Sequence, residues 1–399
     1  MSRPIVIVRY GEIGLKGGNR SAFEKTLRDR VKDSLRAEEH GPIERPHGRI
    51  LVRDPVDTHR IAERVARVFG VTSTSPGVTV PCDLDQIVRA GVQQVEQALT
   101  RRGGVDGTGL TFKADARRAD KRFGSSSHEI NLAVAEAVLD RFPALGVRMK
   151  SPDVTLGVEV RAKETLVHAD RLEGPGGLPV GSLGRAVVLF SGGIDSPVAA
   201  WMAMKRGLHV ELLHFHAAPF VGDASKEKAI DLARALSRWC GRLRLTVIPF
   251  ADTQVAIKQG SAPPYRTILY RRSMNRIAAW HADAFNAGAL VTGEALGQVA
   301  SQTLENLACI EDTADRTVLR PLVAHDKSET IGLARRIGTY DVSIRPHPDC
   351  CTLFMPAHPK IHGNVDEVRS IDQSLELSEI EAEAWEKREV FETAEGNRV

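Results

Sequence analysis

The segment AVVLFSGGIDSP, residues 186–197, joins an apolar run to two consecutive glycines and a Ser-Pro pair. The β-branched and aromatic residues at 186–190 predict a buried strand, and the glycines at 192–193 predict a sharp turn after it. Ser196 is suited to cap the helix that follows, and Pro197 to the first helical position, where no N–H donor is required. The segment therefore predicts a strand that turns directly into a helix.

A turn of this kind is suited to bind phosphate, because backbone N–H groups and a helix N-terminus point towards the anion. It is not a Walker A loop, since no Gly-Lys-Ser/Thr follows the glycines. A phosphate cradle without that lysine predicts cleavage of ATP to release pyrophosphate rather than transfer of the γ-phosphate. Asp195 is placed to hold Mg²⁺ against the pyrophosphate oxygens, or else it only favours the start of the helix.

Composition sets the broad class of the protein. The 399 residues are 42% hydrophobic and carry a net charge of only +3, so any nucleic-acid site must come from local clusters of basic residues. The five cysteines have no disulfide-framework spacing, which indicates the reducing cytoplasm. No apolar run approaches the length of a membrane span, and we expect no membrane partner.

The order of predicted elements indicates an α/β chain of several domains. Strands at 4–9 and 48–53 alternate with helices at 21–36 and 58–69, which is typical of a ferredoxin-like α+β unit. Predicted strands at 109–114, 153–159 and 164–170 and helices at 83–102 and 126–142 form a second unit. We therefore expect domains at 1–59 and 60–168, a Gly/Pro-rich linker at 169–181, and a third domain at 182–399 with an acidic C-terminal tail.

The third domain alternates apolar strands with helices, which predicts a doubly wound parallel sheet. Its predicted strands lie at 186–190, 209–215, 243–248 and 288–292, and its predicted helices at 196–206, 224–239, 267–286 and 328–337. Ligands of such sheets bind at the carboxyl ends of the strands, where Ser191, His214 and Gly293 fall. Lys327, at the start of a predicted helix, could neutralise a phosphate there, although most exposed lysines are merely solvated.

Two adjacent cysteines, Cys350 and Cys351, lie in a proline-rich stretch, where reactive thiol chemistry is more plausible than core filling. A metal site that also used His347 and His358 would match no common zinc spacing, and we predict none.

A basic loop with one aromatic residue is the candidate RNA-binding segment, because Lys and Arg neutralise phosphates while an aromatic ring stacks or packs. The interspersed Asp115 and Asp120 favour the alternative of a solvated face. The candidate residues are Lys113, Arg117, Arg118, Lys121, Arg122 and Phe123.

These motifs together resemble the tRNA 4-thiouridine synthetases, also called the tRNA sulfurtransferase ThiI family, over nearly the whole chain. RYGEIGLKGGNR at 9–20 is similar to the N-terminal signature of the family, and 60–168 is similar to its THUMP RNA-binding domain. Residues 191–196 resemble the PP-loop of ATP pyrophosphatases, and TGEALGQVASQT at 292–303 is the most family-specific segment.

The resemblance implies that ATP, with Mg²⁺, adenylates O4 of uridine 8 in tRNA, and that sulfur from a cysteine desulfurase or another persulfide donor then displaces AMP. It also implies homodimerisation. Asp195 and Lys327 would act at the phosphates. The ATP site would comprise Leu189, Phe190, Ser191, Gly192, Gly193, Ser196, His214, Phe215, Arg271, Gly293 and Gln302.

The catalytic cysteine of the family falls on Cys350 in ungapped register from Gln302, but the adjacent Cys351 leaves the assignment open. Longer members carry a C-terminal rhodanese domain with the persulfide cysteine. Without that domain we expect the persulfide to form on Cys350 or Cys351, or to arrive on a separate carrier, and we expect no role in thiamine thiazole synthesis.

Two other functions compete with this one. The first is another PP-loop enzyme, either a thiolase that acts at a different tRNA position or a ligase. The second is a non-catalytic RNA-binding protein with a vestigial nucleotide fold, which the intact Asp195 and Lys327 disfavour.

Overall fold

The computed structural model describes residues 2–46, 48–346, 354, 356–394 and 397–398. The chain divides into two compact units, residues 1–178 and 179–399. Each unit is built around one β-sheet, with nine strands in the first and seven in the second within the described residues. No helix in these residues combines the length and the apolar composition that a membrane crossing requires.

The first unit contains a mixed sheet and four α-helices in its described part. Its strands are β1 (Arg3–Tyr10), β2 (Ile43–Glu44), β3 (Ile50–Arg53), β4 (Val71–Val80), β5 (Thr111–Arg118), β6 (Gly146–Val147), β7 (Val154–Val160), β8 (Thr165–His168) and β9 (Leu172–Glu173). Its helices are α1 (Arg20–Ser34), α2 (Thr58–Val65), α3 (Leu84–Arg101) and α4 (Ser127–Arg141). The strand order is β2-β3-β1-β4-β8-β7-β5-β6, and β9 also pairs with β4.

Strand β4 was not predicted from the sequence, although it lies in the middle of this sheet. Its sequence VTSTSPGVTV contains Pro76 and Gly77, which usually indicate a loop. In the structure β4 pairs antiparallel with β1 along its whole length and with β8. A Cβ atom on Gly77 would lie 2.4 Å from the carbonyl oxygen of Val167, so glycine is needed for this close strand pairing.

Two helix pairs complete the first unit. Apolar residues of α1 and α2 pack with those of β1 and β3, and apolar residues of α3 and α4 pack with those of β5 and β7. This arrangement confirms the predicted ferredoxin-like α+β unit followed by a second α+β unit. Two predicted limits were wrong by four residues: α2 ends at Val65, and β5 extends to Arg118, so the basic segment begins inside a strand.

The second unit is the predicted α/β domain. Its strands are β10 (Arg185–Leu189), β11 (His209–His216), β12 (Arg242–Pro249), β13 (Ala289–Val291), β14 (Thr317–Leu319), β15 (Glu389–Ala394) and β16 (Asn397–Arg398). Its described helices are α5 (Asp195–Lys205), α6 (Asp223–Cys240), α7 (Ala251–Gly260), α8 (Arg266–Phe285), α9 (Leu304–Glu311), α10 (Lys327–Ile337), α11 (Tyr340–Ser343), α12 (Val365–Ser374) and α13 (Ser378–Glu386).

The strand order β14-β13-β10-β11-β12-β15-β16 confirms a doubly wound sheet. The first five strands in this order are parallel, and β15 and β16 add an antiparallel edge. The chain starts at the central β10, adds β11 and β12 on one side, and then returns to add β13 and β14 on the other. The topological switch point therefore lies between the carboxyl ends of β10 and β13, where ligands of such folds bind.

The acidic tail is part of this fold. Helices α12 and α13 contribute Val368 and Ala384 to the main apolar cluster of the second unit, and β15 pairs with β12. Asp372 of α12 accepts hydrogen bonds from Arg272 Nε at 2.9 Å and from Arg276 Nη1 at 2.7 Å. Apolar burial and these buried ion pairs together hold the tail on α8.

Candidate functional site

The glycine-rich turn follows β10 directly and is closed by its own serine side chains. The Ser191 N–H donates to Ser196 Oγ at 2.8 Å, and the Gly193 N–H donates to Ser191 Oγ at 3.2 Å. The Ser196 hydroxyl in turn donates to the Ser191 carbonyl oxygen at 3.1 Å. The two serines thus fix the conformation of the turn.

The predicted capping of the helix by Ser196 was wrong. Helix α5 begins at Asp195, its N-cap is Ile194, and no side chain caps it. Ser196 and Pro197 are therefore the second and third helical residues, and the Ser196 hydroxyl is used inside the turn instead. An uncapped helix start leaves backbone N–H groups directed at the space in front of it, which suits an anion.

The end of β13 lies against this helix start. A Cβ atom on Gly293 would lie 2.7 Å from the Ser196 nitrogen and 2.8 Å from the Asp195 carbonyl carbon. Only glycine permits this approach, since real Cβ atoms do not come so close to backbone. The segment after β13 is therefore in direct contact with the start of α5 at the switch point.

Asp195 and Lys327 form an ion pair at the starts of two helices. Lys327 Nζ lies 2.7 Å from Asp195 Oδ1 and 2.9 Å from Oδ2, and Gln298 Nε2 donates to Oδ2 at 3.0 Å. The side chains of Asp195 and Lys327 are 22% and 44% exposed. A carboxylate and an ammonium group are thus both accessible beside the turn, and neither is buried in the core.

The aromatic residues at the ends of β10 and β11 are buried. His214 is buried, and its Nδ1 lies 2.8 Å from the carbonyl oxygen of Phe190. The Phe190 N–H donates to the Leu213 carbonyl oxygen at 2.8 Å, which continues the pairing of the two strands. Phe215 is buried edge-on against Phe250, with ring centroids 5.1 Å apart. Leu189, the last residue of β10, is half-buried beside the same core.

Gln302 lies in a short 3-10 helix, Ala300–Gln302, on the segment that follows β13. Gln302 is 8% exposed, and its side-chain Oε1 has no hydrogen-bond partner among the described residues. Its backbone carbonyl accepts from the Gly297 N–H at 2.8 Å. A buried amide oxygen without a protein partner is suited to receive a donor from a ligand.

Arg271 belongs to a buried cluster that the sequence did not reveal. Arg271 Nη2 donates to Glu294 Oε1 at 2.7 Å, and Arg320 Nε donates to Glu294 Oε2 at 2.9 Å. Thr292 Oγ1 also donates to Glu294 Oε2, at 2.8 Å. Burial alone would raise the pKa of Glu294, but the charges of Arg271 and Arg320 outweigh it and lower that pKa below its ordinary value. One sequence signal did exist, because Glu294 follows the end of β13 by three residues.

Cys350 and Cys351, with His347, lie outside the described residues. His358 is exposed in the described part that follows. The chain before the cysteines is joined to the turn, because Ser343 Oγ donates to the Gly193 carbonyl oxygen at 3.2 Å. Among the described residues, no group of three or more His, Cys, Asp and Glu side chains could hold a metal ion.

The candidate RNA-binding residues of the first unit divide into fixed and accessible side chains. Arg118 Nη1 donates to the carbonyl oxygens of Phe123 at 2.9 Å and Ser125 at 3.1 Å, so it fastens the loop after β5. Phe123 is half-buried and packs against the core of α3 and α4. Hydrogen bonds from Arg122 lower the pKa of Asp120 to about 2.

The remaining side chains of that set face solvent or are half-buried. Lys121 is exposed, Lys113 is half-buried on β5, and the exposed Arg117 has only a 3.4 Å contact with Asp115. Arg122 is also exposed, at 81%, but it pairs with Asp120 at 2.8 Å, so Arg117 and Lys121 are the exposed cations of the set that are less tightly paired.

The fold and the turn together define the class of the second unit: a doubly wound α/β protein with a glycine-rich turn at the switch point and no Walker lysine. Family models extend this result to the whole chain. The model for "Thiamine biosynthesis protein (ThiI)" matches residues 181–377, the ThiI ferredoxin-like domain matches 5–75, and the THUMP domain matches 82–170.

Whole-chain comparisons agree with the family models. The chain is 44% identical over 386 residues to a protein of Moorella thermoacetica named "Probable tRNA sulfurtransferase", with 97% of each chain covered. It is 41% identical to a protein of the same name from Thermoanaerobacter pseudethanolicus, with 93% of this chain and 95% of that one covered. A crystal structure of a 4-thiouridine synthetase in complex with RNA and bound ATP matches with a TM-score of 0.88 and 38% identity, over 98% of this chain and 100% of that one. The chain belongs to the ThiI family of tRNA sulfurtransferases.

Proposed function

We propose that this protein uses ATP to activate uridine 8 of tRNA and replaces O4 of that base with sulfur to give 4-thiouridine. One observation carries the proposal: the intact turn, with Asp195 and Lys327 beside it, occurs in a chain that matches an ATP-bound 4-thiouridine synthetase over 98% of its length. The relatives named tRNA sulfurtransferase support the same function.

The turn would bind the phosphates of ATP. The N–H groups at the uncapped start of α5 would donate to phosphate oxygens, and the adenylate would lie at the carboxyl edge of the sheet. The proposed ATP-site residues are Leu189, Phe190, Ser191, Gly192, Gly193, Ser196, His214, Phe215, Arg271, Gly293 and Gln302. The buried Gln302 Oε1, which lacks a partner among the described residues, supports a ligand on that side.

Asp195 would hold Mg²⁺, and Lys327 would neutralise the departing pyrophosphate. The donor set fits this metal, because Mg²⁺ is commonly bound by one or two carboxylates together with substrate phosphates. Bound Mg²⁺ would supply positive charge to the pyrophosphate oxygens. The accessible ion pair of Asp195 and Lys327 would separate when the phosphates arrive, so that each side chain meets an opposite charge.

The sulfur step would use Cys350 or Cys351. The terminal sulfur of a persulfide, delivered by a cysteine desulfurase or another donor, would attack C4 of the base, and AMP would leave with the former O4. The second thiol would then attack the sulfur of the first cysteine, so that a disulfide forms and the thiolated base is released. An external thiol, such as the free cysteine in the reaction, would reduce this disulfide before the next turnover. Adjacent cysteines close such a bond only with backbone distortion.

We also propose which parts of the chain bind RNA and which part catalyses the reaction. We assign RNA binding to the domains at 1–59 and 60–168, with Lys113, Arg117, Arg118, Lys121, Arg122 and Phe123 at the RNA surface, and catalysis to 182–399 after the linker at 169–181. The family models for the ferredoxin-like and THUMP domains support this order. We further propose a cytoplasmic location, consistent with cysteines that show no framework spacing, and a homodimer.

A reconstituted reaction tests the function. Purified protein is incubated with unmodified tRNA, ATP, Mg²⁺, cysteine and a cysteine desulfurase, and 4-thiouridine is detected by its near-ultraviolet absorbance and by nucleoside mass spectrometry. A tRNA with cytidine at position 8 is the substrate control. Thiolation at another position would indicate a different thiolase, and tRNA binding without ATP turnover would indicate a non-catalytic protein.

The same reaction assigns the cysteines. We expect Cys350→Ser or Cys351→Ser to abolish thiolation, while adenylation of the tRNA, measured as release of pyrophosphate, continues. If both single variants thiolate tRNA at the wild-type rate, neither residue carries the persulfide.

A further inference from the structure

Glu294 is a buried carboxylate to which the proposed function assigns no role. Its side chain is 3% exposed, and it accepts hydrogen bonds from Arg271, Arg320 and the Thr292 hydroxyl, between 2.7 and 2.9 Å. Both arginine side chains are also largely buried, with 15% and 13% exposed. Burial of a charge is costly unless it is paired, and here three donors satisfy one carboxylate.

The three donors come from three different elements. Arg271 lies in the second turn of α8, Arg320 directly follows β14, and Thr292 directly follows β13. Glu294 therefore joins α8 to the carboxyl ends of two neighbouring strands. Gly293, the residue before it, contacts the backbone of Asp195 and Ser196 at the start of α5. Glu294 is thus linked to Arg271 by a hydrogen bond and, through Gly293, to the edge of the phosphate turn.

The two oxygens of Glu294 are used differently. Oε1 accepts from Arg271, whereas Oε2 accepts from Arg320 and Thr292. Arg320 has a second carboxylate partner, Glu311, which is 46% exposed and bonds Nη1 at 2.8 Å. Arg320 and Thr292 therefore fix the carboxylate from one side, and its other oxygen orients the Arg271 guanidinium.

We propose that Glu294 is a positioning residue that sets the Arg271 guanidinium for the bound nucleotide, with Arg320 and Thr292 as its supports. The inference rests on the proposed function, in which Arg271 contacts ATP. A glutamine in place of Glu294 keeps the shape of the side chain but loses the charge. Its amide NH₂ group also cannot accept a hydrogen bond, so one of the two arginines loses its partner.

The test measures ATP affinity and kinetics of the full chain with Glu294→Gln. We expect the dissociation constant and the KM for ATP to rise about tenfold, the KM for tRNA to stay within about twofold, and kcat at saturating ATP to fall less than about threefold. Glu311→Gln is the matched control, because it removes the other carboxylate of Arg320 without touching Arg271, and it should bind ATP like the wild type.

A double-variant comparison separates a positioning role of Glu294 from general structural damage. If Glu294 acts through Arg271, then Glu294→Gln adds less than about twofold to the ATP KM when Arg271 is already alanine. Should Glu294→Gln fail to fold, Thr292→Val, which removes one donor, is expected to raise the ATP KM about threefold.

The outcomes distinguish this inference from the function on which it rests. Wild-type protein that neither binds ATP nor thiolates tRNA would refute the proposed function. Active wild-type protein whose Glu294→Gln variant binds ATP normally, or shows an effect that adds fully to that of Arg271→Ala, would overturn the positioning role alone. If Glu294→Gln does not fold and Thr292→Val does, an unchanged KM for ATP in Thr292→Val would overturn the positioning role.

Discussion

Two ion-pair groups in the second unit differ in burial: one is accessible to water, and the other lies almost entirely inside the protein. The pair of Asp195 and Lys327 is 22% and 44% exposed, whereas Glu294 beside Arg271 and Arg320 is 3% exposed. An exposed ion pair contributes about 0–1 kcal/mol to stability, so it opens at little cost. Removal of one partner from a buried pair costs about 3–5 kcal/mol, because the other charge stays buried without compensation.

We propose that the two groups behave differently when ATP and Mg²⁺ bind. Asp195 and Lys327 can exchange each other for Mg²⁺ and phosphate, because water already reaches both of them. In this proposal Glu294 and its arginines keep their arrangement. The two groups should therefore differ in stability: substitutions of Asp195 or Lys327 should leave the free energy of unfolding nearly unchanged, whereas those of Glu294 should lower it.

The largest expected effect is that of Asp195→Ala on catalysis. Loss of the carboxylate that would hold Mg²⁺ should lower the rate of AMP formation at least about a hundredfold. The free energy of unfolding should change by less than about 1 kcal/mol, because the ion pair is exposed. Rates are measured from AMP release, and stability from urea unfolding. Asp283→Ala, which removes an exposed aspartate paired with Arg316, is the control. A near-wild-type rate for Asp195→Ala would remove this residue from the mechanism.

Glu294→Gln should instead destabilise the protein, with a free energy of unfolding lower by about 3 kcal/mol. The pKa of Glu294 is lowered in the folded protein, so its contribution is complete above the unfolded value of about 4.3 and is lost as the pH falls through the folded value. The difference from wild type should therefore be constant between about pH 6 and pH 8 and shrink below about pH 4. A difference that grows on acidification would contradict this sign.

Lys327→Gln should have a smaller effect than Asp195→Ala. Loss of the ammonium group should reduce kcat/KM for ATP about tenfold or more, and Lys327→Arg, which keeps the charge, should recover part of it. Unfolding free energy should stay within about 1 kcal/mol of wild type. A destabilisation as large as that of Glu294→Gln would mean that Lys327 is a structural residue.

The smallest expected effect is in the first unit. The candidate RNA-binding segment there also contains both accessible and fixed charged side chains. The double variant Arg117→Ala/Lys121→Ala removes accessible cations, so tRNA affinity should fall a few-fold and the salt dependence of binding should decrease by about two charges. Arg30→Ala, an exposed arginine of α1 paired with Asp33, is the control. Equal tRNA affinity and salt dependence in the double variant and the control would exclude this segment from the RNA surface.

Local patterns were sufficient to predict the fold class, because the catalytic domain repeats a simple alternation of apolar strands and helices. The same rules failed at β4, whose Ser, Thr, Pro and Gly residues normally indicate a loop but are placed in a strand by pairing with β1 and β8. They also failed at β14, which has only three residues and is formed through its pairing with β13. Tertiary contacts decide both cases.

The geometry of the turn was predicted because its strand, glycines and helix belong to one segment. The turn at 191–196 is recognisable because strand, glycines and helix follow each other directly. The role of the Ser196 hydroxyl was not predicted correctly, because capping the helix and closing the turn require the same residue type. Glu294 was missed because its arginine partners lie 23 and 26 residues away in sequence and meet it only through the sheet.

We propose above that the turn at 191–196 binds ATP, which is cleaved to AMP and pyrophosphate during thiolation at uridine 8. The most direct measurement follows AMP, ADP and 4-thiouridine in one reconstituted reaction. We predict AMP, pyrophosphate and 4-thiouridine in equal amounts with the wild type, and none of the three with Asp195→Ala. Formation of ADP and inorganic phosphate, or thiolation that continues without ATP, would contradict the account.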